Sequence, residues 1–71
     1  MAILEDLREL FDHFDPNKTG SISIRHYHTI IAIFGKHGAK RLPMENEMQE
    51  IIDSKSATWA NVLNVITKIY R

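Results

Sequence analysis

Residues 15–26 read Asp15-Pro16-Asn17-Lys18-Thr19-Gly20-Ser21-Ile22-Ser23-Ile24-Arg25-His26, and this stretch decides how the rest of the chain folds. Oxygen-bearing side chains stand at alternate positions, Asp15, Asn17, Thr19, Ser21 and Ser23, with Gly20 sixth and Ile22 eighth. A loop that wraps a hard cation needs this spacing, because alternate residues aim inward while glycine permits the sharp bend at the sixth position. Pro16 disfavours helix at Asp15, so a preceding helix must end there. Ile22 is placed for a short strand contact across the loop.

Working outward, Ile3, Leu7, Leu10, Phe11 and Phe14 follow helical spacing, and Glu5 and Asp6 suit the dipole of a first helix. Ser23 is placed to cap a second helix, whose apolar side runs Tyr27, Ile30, Ile31 and Phe34, with Gly35 as its stop. A basic connector follows, Lys36-His37-Gly38-Ala39-Lys40-Arg41. Pro43 then offers the first position of a third helix, with Glu45 and Glu47 in its opening turn and Met44, Met48, Ile51 and Ile52 on its apolar face. Trp59, Val62, Leu63, Ile66, Ile69 and Tyr70 mark a fourth, ending near Lys68 and Arg71. The expected fold class is all-α, apart from one short strand pair.

Phe11 and Phe14 before the loop, with Tyr27, Ile30 and Ile31 after it, complete a pattern that resembles the EF-hand superfamily of calmodulin and the myosin light chains. It runs from about Leu4 to Gly35. Pro43–Ile52, reading PMENEMQEII, resembles the opening of a second hand. The resemblance implies a single EF-hand pair, a four-helix lobe over residues 1–71 with a short strand contact between its loops. Residues 1–35 would form the first motif and residues 43–71 the second.

Both loops depart from that family's pattern. His26 occupies the twelfth position, where the family places a bidentate glutamate, which leaves Asp15 as the sole carboxylate among the expected ligands. Hard calcium favours oxygen over imidazole, and no second histidine is spaced beside His26 in this loop, so His26 is read as a structural or exposed residue. Only nine residues separate Ile52 from Val62, whereas twelve separate Phe14 from Tyr27. The second loop also lacks a central glycine and a terminal glutamate. No bound metal or other cofactor is therefore expected. If the chain were instead a calcium-responsive sensor, Asp15, Asn17, Thr19, Ser21 and Ser23 would be the ligands.

The composition narrows the function classes. In a chain of 71 residues, nine basic residues balance nine acidic ones, so no large positive field draws in nucleic acid or an anionic membrane. There is no cysteine, so packing alone must hold the core. Met1-Ala2-Ile3-Leu4-Glu5-Asp6 lacks a basic flank, a long apolar run and a second-position glycine, which argues against a signal peptide, a membrane-inserted helix or a myristoyl anchor. A cytoplasmic setting is expected. Ser23, the histidines and the carboxylates form no recognisable catalytic constellation, so an enzyme is not expected.

Calmodulin-like lobes receive an amphipathic helix between their own helices, with methionines adapting to its shape. On that resemblance the partner-binding positions are Phe11, Phe14, Ile31, Phe34 and Ile52, together with Met44, Met48, Trp59, Val62 and Ile66. Each also reads as an ordinary core residue, Met44 and Met48 as gap-fillers and Trp59 as a core anchor. Within the superfamily, calcium-independent lobes clasp the IQ motif, a basic amphipathic helix in the neck of unconventional myosins. One lobe's length resembles the small single-lobe light chains of class I myosins, monomeric before heavy-chain binding. A calcium sensor or an adaptor for another amphipathic helix is the alternative.

Overall fold

A computed structural model of the protein describes residues 3–71. Helix α1 (Ile3–Phe14) leads through a turn to strand β1 (Ser21–Ser23) and directly into α2 (Ile24–Gly35). After the connector, a single 3₁₀ turn (Glu45–Met48) opens α3 (Gln49–Ser54), which passes through strand β2 (Ser56–Thr58) into α4 (Trp59–Ile69). Mostly helical, with one small antiparallel sheet, the architecture matches the expected class at that level. The strands pair Ser21 with Thr58, Ile22 with Ala57 and Ser23 with Ser56.

The strand pair joins the two halves because its central residues, Ile22 and Ala57, are both buried. Each strand runs straight into a helix, and each helix start is capped by its last strand residue. The Ser23 hydroxyl accepts from the His26 N–H at 3.4 Å, and the Thr58 hydroxyl accepts from the Asn61 N–H at 3.2 Å. Such caps satisfy N–H groups that the first helical turn leaves without partners. The Ile24 N–H also donates to the Lys55 carbonyl at 3.0 Å, extending the link between the halves.

One core cluster draws on every helix. Leu7 and Phe11 of α1 meet Tyr27, Ile30, Ile31 and Phe34 of α2, Ile51 of α3, and Val62, Val65, Ile66 and Ile69 of α4. Burying each such side chain is worth roughly 1.5–3 kcal/mol. Tyr27 is fully enclosed, and burial, with Glu47 nearby, pushes its phenol up to about 12. Its hydroxyl donates to the Met48 sulfur at 3.3 Å.

The third helix begins later than Pro43. Glu47 reaches back, its carboxylate accepting from the Met44 N–H at 2.9 Å while gripping Arg41 through two contacts of 2.6 and 2.7 Å. This clamp holds residues 41–47 in a tight turn, so helix starts at Glu45 in 3₁₀ form and becomes α-helical only at Gln49. Met44 consequently stands outside any helix and is 60 % exposed.

The connector is tied to the end of α4. The Lys40 N–H donates to the Ile69 carbonyl at 2.8 Å. The Tyr70 hydroxyl donates to the Phe34 carbonyl at 2.7 Å, sharing that acceptor with the His37 N–H at 3.1 Å and fastening the end of α2 to the end of α4. Gly38, at φ +103°, supplies the left-handed residue that turns the chain between these anchors.

Candidate functional site: a closed loop and an apolar cleft

The first loop closes on Asp15. One carboxylate oxygen accepts from the Thr19 N–H at 2.9 Å and the Thr19 hydroxyl at 2.7 Å, and the other accepts from the Gly20 N–H at 2.9 Å. Gly20 permits this through its φ of +93°. These donors, the Thr19 hydroxyl foremost and then the Gly20 N–H, hold the Asp15 carboxyl below its ordinary range. Three of the roughly four acceptor positions of this carboxylate are thus taken up within the loop itself. Ser23 is engaged in capping α2.

His26 turns to the neighbouring helix. Its ring lies flat against Phe14, with centroids 4.4 Å apart and planes 11° from parallel. In the second half, Lys55 alone stands between α3 and β2, in left-handed conformation at φ 59°. One residue offers no length in which a chain could wrap an ion.

Glu47 is the other carboxylate held low, to about 2, chiefly by its hydrogen bonds from Arg41 and then by the Met44 N–H. Groups that stay charged in the fold at lower pH than in the open chain stabilise the fold above their ordinary range, and this contribution is lost as pH falls through the folded value. Stability is therefore expected to fall between about pH 5 and about pH 2, followed by circular dichroism, and Glu47→Gln should flatten that profile. An unchanged profile in the variant would show that the Arg41 clamp contributes nothing in solution.

A cleft of about 960 Å³ opens where α1, the end of α2 and the residue after α4 converge. Ile3, Asp6, Glu9, Leu10 and His13 form the α1 wall. Ile33, Phe34, Lys36, His37 and Gly38 form the facing wall, and Tyr70 joins from the C-terminal end of α4. Asp6 and Leu10, like Glu9 and His13, are one helical turn apart, which sets acidic and apolar groups on a common face.

Of the expected partner-binding residues, Phe34 alone lines this cleft. Phe11, Ile31, Val62 and Ile66 lie in the core. Phe14 stacks on His26, and Trp59 meets Phe11 edge-on with ring centroids 5.5 Å apart, beneath the Arg8 guanidinium at 4.9 Å. Met48 borders a separate recess of about 190 Å³ beside Ile51 and Val65. Its sulfur also accepts from the Tyr27 hydroxyl, so truncating Met48 would leave that group without its acceptor. Ile52 is half-buried on α3, and Met44 projects from the turn before it.

Ile33 and Tyr70 were not among the expected contacts. Ile33 falls off the Ile30, Ile31 and Phe34 stripe, the signal that could have marked it as facing outward. Ile3 and Leu10 sit seven residues apart on α1, beside the buried Leu7 and Phe11, and periodicity alone merges the two stripes. Comparison with protein-family models, with curated proteins and with solved structures finds no match. Among the described residues, no helix is long and apolar enough to cross a membrane.

Proposed function

We propose that the chain is a calcium-independent EF-hand pair of the calmodulin and myosin light-chain type, acting by binding rather than catalysis. Its partner is an amphipathic IQ helix in the neck of a class I myosin, in the cytoplasm. The observation that carries the reading is the open apolar cleft, whose α1 wall bears Asp6 and Glu9 where a basic helix would lie. His26 in place of a carboxylate at the twelfth loop position and the single-residue passage at Lys55 support calcium independence. Clasped in the cleft, a neck helix too short to hold its own shape in water would be stiffened along its length.

An IQ peptide is expected to bind equally well in chelator and in calcium, gaining helicity on binding. Amide shifts from Asp15 to His26 should stay in place as calcium is added. Binding that appears only with calcium, together with moving loop amides, would replace this reading with that of a sensor. Failure to bind under either condition would remove the light-chain role.

A further inference from the structure

The cleft presents apolar groups between walls of opposite charge. On α1, Asp6 and Glu9 are three residues apart, about 4.5 Å along the helix axis. Lys36 stands on the facing wall, at the end of α2. Among the described residues the ion pairs are Arg8–Asp12, Lys18–Asp12 and Arg41–Glu47, so these three cleft charges take part in none. They are exposed and available to an incoming group.

We infer that the cleft sorts helices by the charge on each edge of their apolar stripe, taking one with two basic residues a turn apart along the α1 edge and none along the Lys36 edge. This rests on the cleft being the helix-binding surface and adds what kind of helix it takes and how that helix faces. A cation beside Asp6 or Glu9 gains an opposite charge, whereas a cation on the other edge meets Lys36 and is repelled. Because turning a helix end for end exchanges its edges, the same asymmetry sets the direction in which the partner lies.

Three short helical peptides sharing one apolar stripe test this at fixed pH and ionic strength. One carries two lysines on a single edge, the second carries lysines on both edges, and the third carries glutamates on both. The single-edge peptide is expected to bind tightest and the glutamate peptide weakest, with steps of about two- to fivefold for each exposed charge contact. Lys36→Glu should bring the two-edge lysine peptide level with the single-edge one or ahead of it. Asp6→Asn with Glu9→Gln should weaken the single-edge peptide toward the others. Circular dichroism of each variant checks that the fold persists, and the Lys36 and α1 variants are read independently. Equal affinity for all three peptides would overturn the inference while leaving helix binding intact. Binding of none would overturn both.

Discussion

Phe11→Ala is expected to destabilise the fold by about 3–5 kcal/mol, the usual cost of truncating a fully buried aromatic. Phe11 is 1 % exposed, and its ring closes the core on one side and supports Trp59 edge-on on the other. A chain of this length commands roughly 4–10 kcal/mol of total stability. The variant should therefore lose between about a third and all of that stability, with a clearly lowered melting temperature and urea midpoint. Phe14→Ala is the control. Its ring is half-buried and rests on the His26 imidazole, so its removal should cost clearly less. Equal losses would mean that Phe14 reaches the core in solution.

The second large effect concerns binding. Ile33→Asp is expected to lower affinity for an IQ peptide by about tenfold or more, since a charge would be forced into the apolar part of the contact. Ile33 is 39 % exposed in the free protein, so the same change should leave the melting temperature nearly where it was, as surface substitutions do. Isothermal titration paired with thermal melts separates the two readouts. Full affinity in a folded Ile33→Asp protein would move the partner elsewhere on the surface. A large drop in melting temperature would instead make Ile33 part of the core.

Phe11 and Ile33 also mark how far the amino-acid pattern carries. The repeat of Leu7 and Phe11 along α1, and of Tyr27, Ile30, Ile31 and Phe34 along α2, is set by helical geometry and can be read from spacing. Ile33 interrupts its stripe, yet an isolated apolar residue off a stripe is common on protein surfaces. It gains meaning only when Ile3, Leu10 and Tyr70 arrive beside it from other elements. Met44 and Met48 make the same point in opposite directions. Four residues apart on an assumed helix they share one face, but the Arg41–Glu47 clamp delays the helix, leaving one exposed and the other accepting from Tyr27.

The order of helix, loop, strand and helix in the first half follows from local chemistry. Pro16 restricts the backbone, Gly20 readily takes the positive φ that the bend needs, Asp15 bonds to donors four and five residues away, and Ser23 caps the helix that follows. Such short-range interactions depend on neighbours in the chain, so the residues themselves determine them. The partner of Ile22, the acceptor of Tyr27, the bond from Tyr70 to Phe34 and the two-signed walls of the cleft join residues far apart in the chain. Only tertiary structure decided these. Many registers and packings bury similar apolar area, and the choice among them depends on how all the helices fill one small core together.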